Sequence, residues 1–335
     1  MSGSNKKAVR AIRRQLICVL GCTLAAAMLP GAAQAQAAWP SQPITIIVPY
    51  SPGTGVDVLA RTLGAKLSQR LNQPVIVENK PGASGNIGTG FAARATPDGY
   101  TLLMTANTFV MNSSVYKNIP YDPVKSFVPV SMTALGTLAF CVNPELPAKS
   151  LASAVKLFKE SPGKYNYASP GNGTPQHLAM ELFALSTGTD IMHVPYKGSG
   201  GAITDLIGGQ VNMMIMPVHS ALSQAKAGKI RILGVAQDQR VAVAPDVPTF
   251  AEQGVPNANV DLWYGMFAPK GTPHVIVAKL NSEINAILAL PDVRAGLDKQ
   301  GLIPKSGPPE DLDVLVKKDL VRWADVVKRA KIVAD

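Results

Sequence analysis

Cysteine is nearly absent from this chain. Of three residues, Cys18 and Cys22 fall within the first 37, which leaves Cys141 alone and excludes an intramolecular disulfide in the rest. Histidine is as sparse: His177, His193, His219 and His274 form no i, i+4 pair and have no second cysteine beside them, so a zinc or iron site is not expected. There is no Gly-x-Ser-x-Gly elbow and no Gly-x-x-x-x-Gly-Lys-Ser/Thr phosphate loop. Beyond the N-terminus no apolar run reaches the roughly 20 residues that crossing a bilayer requires, and Lys and Arg form no cluster of the kind that binds nucleic acid. Fixed-period repeats and coiled-coil heptads are missing too.

What is present begins with a leader. Lys6, Lys7, Arg10, Arg13 and Arg14 precede an apolar stretch from Leu16 to Leu29, and Ala33-Gln-Ala35 and Ala35-Gln-Ala37 offer small-residue cleavage sites. Residues 1–37 therefore read as a secretory signal peptide. The leader holds five of the 32 basic residues and none of the 22 acidic ones, leaving 27 against 22, so the formal +10 overstates the basic character of the mature chain. Export without disulfides points to a bacterial periplasm. About 300 remaining residues lie where a single hydrophobic core stops growing, which favours two domains.

The mature chain is organised around Ile44-Thr-Ile-Ile-Val-Pro-Tyr-Ser-Pro-Gly-Thr-Gly-Val-Asp57. Ile44, Ile46, Ile47 and Val48 read as a buried strand, Gly53 and Gly55 as a sharp turn, and Val56, Leu59, Ala60, Leu63 and Leu67 as a helical face. A loop of this kind points backbone N–H groups at a helix N-terminus, where an anion is favoured. The arrangement recurs after Val75 to Glu78, with the loop 79–86, and after Thr101 to Met104, with Thr105 to Thr108. It returns after Tyr165 to Ala168, with Ser169-Pro-Gly-Asn-Gly-Thr174, and after Ile191 to Val194, with Pro195-Tyr-Lys-Gly-Ser-Gly-Gly201. Alternating β/α order of this kind builds a mostly parallel sheet, with ligands beyond the carboxyl ends of its strands. Leu138 to Val142, Val211 to Ile215, Arg231 to Ala236 and Leu262 to Ala268 read as further strands, and two amphipathic helices close the chain, one over 276–288 and one over 312–327.

Chemistry is thinly represented in these loops. Ser169 and His177 can be drawn as a nucleophile pair, but a turn serine and a first-turn helix histidine explain them better. Asp57 suits the first turn of its helix, where it can bind loop N–H groups, and Asp205 is open to the same two readings, structural or ligand contact. Lys197 is either a counter-ion or a solvated loop lysine. Met213, Met214 and Met216 read as strand packing. Micromolar capture of an anion needs about 8 kcal/mol net, and each charge-assisted hydrogen bond contributes roughly 1.5–3 before ordering costs, so one loop is insufficient and two facing lobes are needed.

Taken together, several blocks in order resemble the periplasmic receptors of tripartite tricarboxylate transporters, the TctC or Bug family. They are Trp39-Pro, Val48-Pro-Tyr-Ser-Pro-Gly53 with Asp57 and Ala60-Arg61, Val77-Glu-Asn-Lys-Pro-Gly82 with Gly85-Asn-Ile-Gly88, and Pro97-Asp-Gly-Tyr-Thr-Leu102. Further on come His193-Val-Pro-Tyr-Lys-Gly198, Asp205-Leu with Gly209-Gln-Val211, and Trp263-Tyr-Gly265 with Ala268-Pro269. The resemblance implies an α/β, two-lobed periplasmic-binding-protein type II fold. Lobe 1 would comprise 38–138 and 263–335, lobe 2 would comprise 139–262, and two crossover strands would form the hinge. It implies capture of a small organic carboxylate by a monomer with no cofactor and no catalytic residue, followed by delivery to membrane permease subunits. An exported enzyme acting on a small organic acid is the alternative, and a sensing or orphan receptor a third reading. Carried over by position, the ligand contacts are Tyr50, Ser51, Gly53, Thr54, Gly55, Asn86, Thr105, Asn107 and Thr108 on one side. On the other they are Ser169, Gly171, Asn172, Gly173, Thr174, His177, Tyr196, Lys197, Gly198 and Asp205. The family commonly carries two adjacent glycines where this chain has Gly53-Thr54, and the threonine side chain is expected to intrude on the ligand.

Overall fold

The computed structural model describes residues 39–260 and 262–332; the leader lies outside the described residues. The first part of the chain alternates strand and helix: β1 (Ile44–Val48), α1 (Gly55–Leu71), β2 (Val75–Asn79), a 3-10 turn (Ala83–Gly85), α2 (Asn86–Ala93), β3 (Thr101–Ala106), α3 (Thr108–Val115) and β4 (Phe127–Gly136). The middle part repeats the theme with β5 (Leu138–Val142), α4 (Leu151–Glu160), β6 (Asn166–Ser169), α5 (Pro175–Thr187), β7 (Met192–Pro195), α6 (Ser199–Ile207), β8 (Met213–Pro217), α7 (Val218–Lys226) and β9 (Arg231–Val235). The chain ends with β10 (Leu262–Pro269), α8 (His274–Leu288), α9 (Pro291–Lys299), β11 (Leu302–Pro304) and α10 (Pro309–Arg329).

Two sheets result, and they give the protein its two-lobed α/β architecture. One has six strands in the order β11-β4-β10-β3-β1-β2, and the other five in the order β7-β6-β8-β5-β9. The β/α repeats pair in parallel, β1 with β2 and β3, and β6 with β7 and β8. The remaining pairings are antiparallel: β10 with β3 and β4, β11 with β4, and β5 with β8 and β9. The sheets are thus mixed, a correction to the mostly parallel expectation, because β5 and β10, which enter directly from the opposite sheet, and the late strand β11 run against the repeats.

β4 carries no clear strand signal in the sequence, with Pro129, Ser131 and Thr133 in its middle, yet it lies inside the first sheet. The pairing accommodates the proline at a bulge: Met266 faces Ser131 and Phe267 faces Pro129, so Val130 is skipped. The freed Val130 carbonyl accepts from Asn281 Nδ2 at 2.8 Å, which ties α8 to the bulge. The chain passes from one sheet to the other at Thr137, between β4 and β5, and returns on entering β10.

Helix ends follow local chemistry. Thr54 and Thr174 cap α1 and α5 with their hydroxyls, Pro175 occupies the first turn of α5, and Ser150 and Ser153 form a reciprocal capping box on α4. Phe109, Tyr121, Phe127 and Phe267 pack in the first lobe with centroids 4.7–6.3 Å apart, each burial contributing about 1.5–3 kcal/mol. In the second lobe, Cys141, Met214 and Met216 are buried with Ala139, Leu206 and Val218, which gives the methionines the packing role expected of them. α8 and α10 both cover β4, and buried Trp263 Nε1 donates to Asp319 of α10 at 2.7 Å.

Candidate functional site

The loop after β1 is held by one carboxylate. Asp57 Oδ2 accepts from Gly53 N at 2.9 Å, its Oδ1 accepts from Asn79 Nδ2 at 2.9 Å, and Arg61 lies against both oxygens at 3.1 and 2.9 Å. Burial alone would push this carboxyl up, but Arg61, the Gly53 amide and Asn79 together hold it below its ordinary 3.8. Asp57 therefore takes the structural role preferred for it from sequence. The Thr54 hydroxyl donates to Ser51 O at 3.1 Å and receives the Asp57 amide as the α1 cap. It is thereby tied into its own loop.

Deeper in the first lobe, Tyr50 OH lies 3.3 Å from Thr105 Oγ1, and Asn79 Nδ2 also reaches Tyr50 O at 3.0 Å. Burial raises the Tyr50 phenol above 10, only partly offset by Thr105, Thr108 and the Ala106 backbone, so it remains a neutral donor. Thr105, Asn107 and Thr108 are buried at the end of β3. Asn86 is buried as well, and its Oδ1 accepts from Asn112 Nδ2 at 2.7 Å and Tyr121 OH at 3.2 Å. The Tyr50 ring backs Gly85: a Cβ there would sit 3.2 Å from it, so glycine lets the two loops touch. At Gly55 a Cβ would fall 2.9 Å from the Tyr264 hydroxyl.

In the second lobe the loop after β6 is braced from behind. Ser169 Oγ pairs with His193 Nε2 at 2.7 Å and accepts from Gly171 N at 3.2 Å; Gly173 N donates to His177 Nδ1 at 3.1 Å. Thr174 Oγ1 donates to Gly171 O at 2.8 Å. The partner of Ser169 is thus His193 and not His177. Gly198 N donates to Pro170 O at 2.9 Å, which joins the loops after β6 and β7. Tyr196 OH donates to Asp205 at 2.6 Å, and that bond pushes the phenol up to about 12. Lys197 is exposed on the same loop.

The two sets of loops meet. Ser84 Oγ donates to Asn172 O at 3.1 Å, Tyr116 OH donates to Ser84 Oγ at 3.0 Å, and Asn112 Nδ2 reaches Ser84 O at 3.0 Å. A Cβ on Gly173 would lie 3.0 Å from Val115 and 3.5 Å from Asn112 Oδ1. A series of contacts thus runs from Gly53 through Asp57, Asn79, Tyr50 and Gly85 to the neighbouring Ser84, then to Asn172 in the loop 169–174, whose Pro170 receives Gly198. One expectation changes here. The amides of Gly53, Gly171, Gly173 and Gly198 all donate within the protein, so these four are committed to loop structure.

Sequence reasoning did not select Ser84, Asn112, Tyr116, Asn79 or His193 for the site. His193 and Asn79 carried a signal, since they stand in the blocks ending at Gly198 and Gly82, and Ser84 lies in the loop 79–86; Asn112 and Tyr116 are ordinary polar residues brought in only by the fold. Among the described residues no group of three His, Cys, Asp or Glu is placed to hold a metal. Two hollows, of about 430 Å³ beside Arg231 and Pro144 and about 460 Å³ beside Val327 and Ser114, are lined by residues outside these loops.

The family model described as tripartite tricarboxylate transporter family receptor matches residues 59–332. The chain belongs to that family. Protein BugT of Bordetella pertussis is 37% identical over 316 residues, which cover 94% of this chain and 97% of BugT. An R. palustris protein solved with adipate superposes with a TM-score of 0.82 at 34% identity, covering 88% of this chain and all of that one. MatC from Rhodopseudomonas palustris, solved with bound malate, gives 0.78 at 32% identity, covering 86% of this chain and all of MatC. As a member of that family the protein is a periplasmic solute-binding receptor. Among the described residues no helix is long and apolar enough to cross a membrane.

Proposed function

We propose that this receptor captures a small organic carboxylate between its two lobes and delivers it, as a monomer and without catalysis, to the membrane permease of a tripartite transporter. The observation that carries the reading is the cross-lobe junction at Ser84 and Asn172, which brings the glycine loops of both sheets to one place. The relatives solved with adipate and malate support the carboxylate class. In this reading Tyr50, Thr105 and Thr108 supply neutral donors from the first lobe, and Asn172 and Lys197 supply polar groups from the second. Asn86, Ser169, Thr174, His177 and Asp205 act by holding the loops. The hinge lies at Thr137 and on the approach to Leu262.

The test is a thermal-shift screen of mono-, di- and tricarboxylates, malate and adipate included, with NMR of the same mixtures. A bound acid at a hundredfold excess over Kd adds about 2.7 kcal/mol, a shift of several degrees, and the acid stays unchanged. Sustained conversion of the acid, or no stabilisation by any carboxylate, overturns the proposal. Uptake of the stabilising acid by cells with and without the receptor tests delivery: equal uptake refutes it.

A further inference from the structure

Behind the loop 169–174 three rings stack in series. Tyr167 and His193 lie 4.8 Å apart at 19°, and His193 and His177 lie 3.9 Å apart at 11°. Each imidazole secures one glycine of the loop. His177 Nδ1 accepts the Gly173 amide directly, which places the ring proton on Nε2, 4.0 Å from Glu181 Oε1. His193 Nε2 contacts Ser169 Oγ, which receives the Gly171 amide and can donate to Gly171 O at 3.1 Å, so this bond tolerates a protonated His193. Glu181 in turn accepts from Tyr167 OH. Of the other elements packed on α5, β8 contributes only the apolar Met213–Pro217 and β6 contributes Tyr167. The glycines so held flank Asn172, whose carbonyl receives the bond from the opposite lobe.

We propose that His177, stacked on His193, is a positioning residue for ligand capture, holding the second-lobe loop in its cross-lobe geometry through Gly173 only while its ring is neutral, so that acid disables capture. The proposal rests on the receptor reading above. Protonating His177 turns Nδ1 into a donor facing the Gly173 donor and sets a charge against a ring 3.9 Å away. Burial holds His177 down to about 3, with His193 adding to it, and burial alone holds His193 down to about 4. His177 thus lies below the ordinary 6.5 and its Nδ1 must stay unprotonated to accept the Gly173 amide, so the held loop binds fewer protons than the released one. Loop order is complete above about pH 6.5 and is eroded as pH falls towards 4.

The experiment follows the Gly171 and Gly173 amides of the ligand-free mature chain by ¹H–¹⁵N NMR from pH 8 to 4.5, with malate and adipate titrations at both ends. His177→Asn keeps an acceptor near the Nδ1 position but cannot take up charge. In the wild-type protein the Gly173 amide shifts and loses exchange protection as pH falls, and acid affinity drops at least tenfold; in His177→Asn the amide holds steady and affinity drops less than threefold. Protonation of the ligand is common to both proteins and cancels in the comparison. A pH-insensitive Gly173 amide in the wild type, or the same acid limb in His177→Asn, overturns the proposal. Should His177→Asn not fold, His177→Gln, which also carries an uncharged amide acceptor, takes its place in the same comparison. If the amides behave as expected while neither acid binds, the histidine mechanism of loop holding stands and the carboxylate reading falls.

Discussion

Replacing Asp57 by Asn tests whether this carboxylate serves the loop or the ligand. Its side chain is only 4% exposed and accepts from Gly53 N, Asn79 Nδ2 and Arg61. Hydrogen bonds to a charged group contribute about 1.5–3 kcal/mol each, while the ion pair with Arg61, which is 52% exposed, is discounted to about 0–1 by solvent screening. Asn keeps one acceptor and turns an NH2 against the other donor, so the variant loses one strong bond and gains an opposed pair. The expected loss is about 2–4 kcal/mol, or roughly 5–10 °C in Tm, read by urea and thermal unfolding at pH 7. The pH dependence carries a sign. The Asp57 carboxyl is held below 3.8 in the folded protein, so its contribution is complete above that value and lost as pH falls through the folded value. The gap between wild type and Asp57→Asn should therefore be constant from pH 5 to 8 and narrow in strong acid. A variant within about 0.5 kcal/mol of wild type at pH 7, the scale of an ordinary surface substitution, would refute the structural role. Unchanged stability with a tenfold loss of acid affinity would make Asp57 a ligand contact instead.

Three further substitutions bear on the site. Thr54→Ala removes the α1 cap and should cost about 1 kcal/mol in urea unfolding while leaving acid affinity within about twofold; a tenfold gain in affinity would mean that the hydroxyl does obstruct the ligand. Gly171→Asp forces a side chain onto a backbone at φ +148°, with Cβ 3.3 Å from Tyr196 O, and adds negative charge, so calorimetry should give at least tenfold weaker carboxylate binding. Full affinity would remove that loop from the site. Ser84→Ala deletes the bond to Asn172 O, worth about 1 kcal/mol, and should shift the ligand-free protein roughly fivefold towards separated lobes. An unchanged X-ray scattering profile would show that this bond does not set the lobe equilibrium.

The repeats were legible because strand, glycine turn and helix sit within about 20 residues of one another, and Thr174-Pro175 announces a helix start from local chemistry alone. β4 was not, since Pro129 contradicts a strand until the bulge opposite Phe267 accommodates it, and that bulge depends on a partner more than 130 positions away. The same limit applies to the site. Ser84 reaches Asn172 from 88 residues away. It does so from a turn in which Gly82, Ala83, Ser84 and Gly85 all have positive φ, and for Ala83 and Ser84 no sequence rule announces that conformation. His193 was visible as a residue, but its use was not, because its partner Ser169 is fixed only when β6 and β7 pair in register.

The glycines themselves carry a different meaning from the one their spacing suggests. Gly53, Gly171, Gly173 and Gly198 have φ of +82°, +148°, +73° and +118°, a region that L side chains rarely adopt. The same four residues donate their amides inward, to Asp57, Ser169, His177 and Pro170. Their pattern thus marks where the backbone must turn, and the anchors that receive those amides determine where each turn points. On the proposed reading, an anion held between the lobes would be met by neutral hydroxyls at Tyr50, Thr105 and Thr108 and by the N-terminal ends of α1, α5 and α6, each dipole worth about 0.3–1 kcal/mol and falling off within one turn. With terms that small and that short-ranged, a displacement of a few tenths of a nanometre in one loop removes most of its contribution. Affinity should therefore respond more to the anchors behind the loops than to any single charge in front of them.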